Sequence, residues 1–243
     1  MPTLHADLAN TYAYIRMERE LASYCTFHSL VRTKDEIIPT VQILSEAAGL
    51  DEQQALLLRT AAWFQDLGRI EQHDDHRLRS AQIAGNVLPV FGFAPEQVAI
   101  ITDLILATRM PQTPRNELES IIADADLAWL GQTEFFEQSQ RLRTELIYTG
   151  VLLTDMAWHE RLLRLLQSHH YHTPIACELY DEQKLVNLHA LAERIAQAKL
   201  TPIGPVKRQD KTDPPPHPLA YLWRANTRPE VALMIREQGA INS

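Results

Sequence analysis

The sequence predicts an all-α fold, and three observations carry that expectation. Apolar residues recur at helical spacing along most of the chain. Leu, Ala, Glu, Gln and Arg are abundant while glycine is sparse, at 8 of 243 residues, a composition that favours helix. Helix-capping residues stand before several of the periodic stretches, and no strand-rich region or internal repeat interrupts them.

The elements follow in order. Leu4 to about Tyr24 is expected to be helical, with Leu8, Tyr12, Ile15, Arg19 and Ala22 in register. The segment Phe27–Thr33 (FHSLVRT) breaks the pattern, which resumes over Asp35–Ala48 with Ile37, Val41, Leu44 and Ala48 on one face and Gly49 as a stop. Pro39 fits a first turn or a kink. Asp51 caps the next helix, and Gln54 is placed to complete a capping box. A polar loop (Glu71–His76) precedes a helix from His76 to about Val90. The turn Phe91-Gly92-Phe93 follows, then a helix opened by Pro95 and running to about Thr108. Two prolines make Arg109–Arg115 a loop. Asn116 and Glu119 cap a helix that runs through Leu130 to Gly131. Helices are expected over Glu134–Tyr148, Asp155–His169 (capped by Thr154) and Glu178–Lys199, with Thr173-Pro174 as a helix start.

Residues 1–200 therefore read as one helical domain. Residues 201–243 read as an appendage: Pro202, Pro205, Pro214, Pro215, Pro216 and Pro218 lie among charges as in an extended linker. Beyond them, Leu222, Trp223, Val231, Leu233 and Ile235 suggest a short segment that docks on a protein partner or a second copy of the chain.

Composition excludes several classes. A formal charge of −8 argues against general nucleic-acid binding. No apolar stretch is long enough to span a bilayer. Two cysteines, Cys25 and Cys177, are too few for a disulfide framework, and with no signal-peptide pattern a cytoplasmic location is expected.

The stretch Leu57–Arg69 organises the rest. Its apolar helix ends in Gln65-Asp66, and a buried carboxylate needs a partner: a proton, a cation or an ion-pairing side chain. Asp124 and Asp126 also lie on apolar ground, in IIADADLAWLG. The loop residues His73, Asp74, Asp75 and His76 have the composition of a metal cluster or of a solvated loop. His169, His170 and His172 fit a turn between helices, with His169 and Tyr171 packed inward. Arg69 and Arg109 flank the expected site and are of a type that binds phosphate.

With these segments placed, the chain resembles the HD superfamily of metal-dependent phosphohydrolases, and within it the small stand-alone bacterial HD proteins. LLLRTAAWFQDLG stands where that family has LLLAALFHDIG. His76 and Ser80–Ala84 match its loop histidine and S-A-x-I-A. Ile105–Gln112, Asp124–Gly131 and Ser168–Pro174 match its I-L-A-T-x-x-P-Q, D-A-D-L-x-x-L-G and S-H-x-Y-x-T-P segments. The resemblance spans roughly residues 5–198 and implies an HD-like helical bundle.

The metal positions depart from the family pattern. Phe27–Thr33 aligns with Y-H-x-L-E-H-T, which puts Arg32 at a metal-binding histidine and His28 at the other one. The histidine of the HD pair is Gln65. Asp66 is retained, and Asp126 is the best match for the distant aspartate, with Asp124 second. A guanidinium has no lone pair to give a cation, and a Gln oxygen is a weaker ligand than imidazole. The expectation is a degenerate site with no cofactor, in which Arg32 neutralises Asp66 and Asp126, and His28, Gln65, His76 and Asp124 complete the pocket. It would bind a phosphorylated small molecule or a protein partner. The alternative is an active phosphohydrolase with a rebuilt site holding Mn, Mg, Fe or Zn on Asp66 and Asp126 with His28 or His76, the two aspartates then serving catalysis.

Overall fold

The computed structural model describes residues 4–71 and 75–200, all of whose regular elements are helical. The expected linker and docking segment, and the loop residues His73 and Asp74, lie outside the described residues.

The first helix, α1 (Ala6–Glu20), is shorter at both ends than the periodicity suggests. Helix α2 (Leu30–Arg32) runs through a π-helical turn, Thr33–Ile37, into α3 (Ile38–Ala47). The sequence places the start of this helical run near Asp35. Ser29 is the cap that reading misses: its hydroxyl accepts from the Arg32 N–H at 3.2 Å, so FHSLVRT ends inside a helix. Pro39 has no N–H to donate, and the wide turn just before it accommodates the loss. Arg32 is thereby fixed in a first helical turn.

Helix α4 (Glu52–Phe64) begins with the expected Asp51–Gln54 capping box. A single 3-10 turn, Leu67–Ile70, ends it. The backbone N–H of Gly68 donates to Ser80 Oγ at 2.8 Å. A Cβ at residue 68 would collide with the His76 carbonyl, so glycine is needed for α5 (His76–Val87) to approach the end of α4. Helix α6 (Pro95–Ala107) starts at Pro95 as expected. Helix α7 (Glu117–Leu127), capped by Asn116, continues as a 3-10 turn over Ala128–Gly131. Helices α8 (Phe135–Tyr148), α9 (Asp155–Ser168) and α10 (Pro174–Leu200) complete the domain.

Two apolar clusters form the interior. The larger joins α1, α3, α4, α5, α6 and α7 around Leu44, Leu58, Phe64, Leu67 and Ile105. The smaller joins the Ala128–Gly131 turn to α8, α9 and α10 around Trp129, Phe135, Trp158 and Leu162, with Phe27 at its edge. The candidate site lies where the second cluster meets the ends of α4 and α7.

Candidate functional site

Asp66 follows the C-terminal end of α4, where carbonyl dipoles disfavour a negative charge, and it is 1% exposed. Its principal partner is Arg77, which the sequence reading did not single out. Arg77 Nη1 donates to Asp66 Oδ1 at 2.6 Å and to the Gln65 carbonyl at 3.0 Å, and its Nη2 donates to Asp126 Oδ1 at 2.8 Å. One buried guanidinium thus bridges both aspartates. Burial alone would raise the Asp66 carboxyl, but Arg77 together with His28 and His76 outweighs it and holds the group well below the usual carboxylate range.

Arg32 is the second cation, and its expected role needs correction in part. Its Nη2 donates to the Asp126 carbonyl at 2.5 Å and approaches Asp126 Oδ1 at 3.4 Å. Its Nη1 is 3.9 Å from Asp66 Oδ2. Arg32 therefore faces both aspartates but binds chiefly Asp126. Its guanidinium lies over the Phe27 ring at 4.3 Å, a cation–π contact that fixes its direction.

Asp126, the preferred match for the distant aspartate, faces the pocket; Asp124 does not. The Asp124 carboxylate accepts from the His172 N–H at 2.8 Å, the Thr173 N–H at 2.8 Å and the Thr173 hydroxyl at 2.7 Å. It ties α7 to the start of α10. Residues two apart on a helix point about 200° apart, so only one of the pair can face the site. Gln65 is fully buried, and its side-chain amide has no hydrogen-bond partner among the described residues.

His28 is held by Glu145, the other residue the sequence reading missed. Glu145 Oε1 lies 2.6 Å from His28 Nδ1, and Oε2 accepts the Phe27 and His28 backbone N–H groups at 3.1 and 2.9 Å. Burial alone would raise the Glu145 carboxyl, but the side-chain and backbone contacts from His28 and the Arg69 charge together keep it lowered. An ionised carboxylate only accepts, so Nδ1 carries the imidazole proton and Nε2 keeps its lone pair. Burial lowers the His28 pKa and brings that of His76 down to about 3, so both rings are neutral at pH 7. Arg69 Nη1 approaches Glu145 Oε1 at 3.6 Å.

A cavity of about 520 Å³ opens onto these groups. Among its lining residues are Arg32, Arg69 and Arg77, with His28, His76 and Asp126. Arg109 and Arg161 line it as well and are exposed. Arg109 pairs with Asp75 at 2.7 Å.

The metal positions of the resemblance do not fit a divalent ion. Arg32 has no lone pair, and Arg77 already holds one oxygen of Asp66 and one of Asp126. Arg32, Arg69 and Arg77 balance Asp66, Asp126 and Glu145 in charge without a cation. A divalent ion ~5 Å from a single guanidinium would meet about 7 kcal/mol of repulsion at an effective dielectric constant of ~20. A different trio has the necessary reach: one ligand-type atom from each of His28, Asp66 and His76 lies within 4.8 Å of the others.

The helical architecture is that of the HD-domain fold. The chain is similar to the structure of Bacillus subtilis YpgQ in complex with ADP, with a TM-score of 0.55 and 18% identity over 82% of this chain and 99% of that one. It is also similar to a predicted HD superfamily hydrolase from an uncultured Thermotogales bacterium, with a TM-score of 0.52 and 16% identity over 77% and 92% of the two chains. No protein-family model and no curated protein matches the sequence. No helix among the described residues is long and apolar enough to cross a membrane.

Proposed function

We propose that this is a phosphohydrolase-like HD protein in which guanidinium–carboxylate contacts have taken the place of the metal, and whose pocket binds a phosphorylated small molecule with little or no catalysis. The observation that carries the reading is the Arg77 bridge between Asp66 and Asp126. Of the five arginines that line the cavity, Arg32, Arg69 and Arg77 balance Asp66, Asp126 and Glu145, and Arg109 pairs with Asp75, which leaves an excess of one positive charge among these groups in a chain of net charge −8. Arginine suits phosphate because its donors match the oxygens in pairs.

The test is calorimetric titration with inorganic phosphate at low ionic strength in metal-free buffer. Saturable binding that weakens at least tenfold in the double variant Arg109→Ala/Arg161→Ala supports the proposal. The absence of saturable binding would overturn it. The C-terminal extension is proposed as the place where a protein partner or a second copy docks. Ending the chain after Leu200 and measuring molecular mass tests that assignment.

A second reading rests on the convergence of His28, Asp66 and His76. On that reading Mn, Mg, Fe or Zn is held by these residues, and the protein is an active phosphohydrolase. A bound metal would polarise phosphate and activate water. Glu145 would keep His28 in the required tautomer, as carboxylates do for metal-bound histidines. Phosphatase activity that depends on added metal and is lost in His76→Ala would favour it.

A further inference from the structure

The cavity has two chemically distinct sides. Its charged groups are Arg32 from α2, Arg69 from the 3-10 turn after α4, Arg77 from α5 and Asp126 from α7, with Asp75, Arg109 and Arg161 exposed at its wall. A second set of lining residues, from α8, α9 and the turn after α7, is apolar apart from Arg161 and belongs to the smaller core cluster: Trp129, Leu142, Leu146, Trp158, Leu162 and Leu165. Phe27 forms the seam. It carries the Arg32 guanidinium on its face and packs edge-on against Trp129 at a centroid distance of 5.4 Å. Leu142, Leu146 and Leu165 are only partly covered by protein, so a ligand that fills the cavity removes their surface from water.

This apolar side provides no side-chain acceptor. Its polar groups are the indole N–H groups of Trp129 and Trp158 and the exposed guanidinium of Arg161. Thr108, elsewhere on the wall, already donates its hydroxyl to the Ile105 carbonyl at 2.7 Å. Every nucleobase carries N–H donors on its edge, and burying them without acceptors is costly. A hydrocarbon carries none. Resting on the phosphate-binding reading above, we propose that the ligand is an amphiphile: a phosphate monoester of a hydrocarbon chain, with its head among the arginines and its tail against α8 and α9.

The experiment compares inorganic phosphate with ethyl, butyl, hexyl and octyl phosphate, and with ADP. It uses calorimetry on the full chain, with each amphiphile kept below the concentration at which it aggregates. A buried methylene contributes about 0.8 kcal/mol, which is about fourfold in affinity. Affinity is therefore expected to rise about fourfold per methylene across the series, with octyl phosphate binding more tightly than ADP. Leu146→Gln, at a partly exposed position, is expected to weaken octyl phosphate by at least tenfold and ethyl phosphate by less than twofold.

If phosphate binds but affinity is flat along the series, the tail assignment fails and the phosphate-binding reading stands. If ADP binds more tightly than octyl phosphate, the tail assignment also fails. If neither phosphate nor any ester binds, both readings fail together.

Discussion

Replacing Arg77 with Met removes the bridge that makes the buried acids tolerable while keeping much of the side chain's apolar stem. Arg77 makes hydrogen bonds of 2.6 and 2.8 Å to two carboxylates that are 1% and 5% exposed. Removing one partner of a buried ion pair typically costs about 3–5 kcal/mol. Two carboxylates lose a partner here, which pushes the loss upward. Arg32, already 3.4 Å from Asp126 and 3.9 Å from Asp66, takes up part of it. A net loss of ~4 kcal/mol corresponds to about 8–16 °C in Tm for a chain of this size. In the wild type, the depressed Asp66 pKa adds stability above the unfolded carboxylate range that is lost as pH falls through the folded value. In the variant, burial dominates and raises the folded pKa of Asp66, so acid protonates the folded state first. The gap between the two proteins should therefore narrow as pH falls. Thermal melts at pH 7 and pH 4.5 test both parts. A loss below about 2 °C at pH 7, the level of an ordinary surface change, or a gap independent of pH, would refute the bridging role.

Other consequences can be measured independently. Asp124→Ala removes three hydrogen-bond acceptances between α7 and α10 and should cost about 3 kcal/mol in chemical denaturation; a change within ~0.5 kcal/mol would exclude this structural role. Glu145→Gln leaves one carbonyl oxygen for three donors, and a loss of about 2 kcal/mol is expected, with a shifted His28 Nδ1 nitrogen resonance; an unchanged resonance would contradict the assigned tautomer. Burial brings both His76 and His169 down to about 3, so the unfolded chain binds their protons first. Stability should fall as pH drops from ~6.5 toward 4, by up to about 1.4 kcal/mol per pH unit for each histidine. His169→Phe should flatten that slope; an unchanged slope would exclude His169 as a source.

The fold was legible in the sequence because periodicity and capping agreed at successive elements: Asp51, Pro95, Asn116 and Thr154 open helices where they were expected to. The start at Leu30 was obscured because the Ser29 cap lay inside a segment that otherwise breaks the pattern. At the site, Asp66 and Asp126 stood out as acids on apolar ground. Arg77 and Glu145 gave the same kind of signal in weaker form. Arg77 shares a helical face with Ser80, Ala81 and Ala84, and Glu145 falls on the stripe of Gln138, Leu142 and Leu146. Long charged side chains commonly reach back to solvent from such positions, so spacing alone could not reveal that both are buried and paired across the fold. The opposite facing of Asp124 and Asp126 was implicit in helical geometry; only the packing of α10 decided which faced inward.

The central claim is that guanidinium groups fill the electrostatic role a divalent ion has in metal-binding HD proteins. Elemental analysis of protein purified without chelator, then equilibrated with manganese and desalted, tests it most directly. The account predicts metal at background in both samples. Near-stoichiometric metal that disappears in His76→Ala would contradict it and establish the site built from His28, Asp66 and His76.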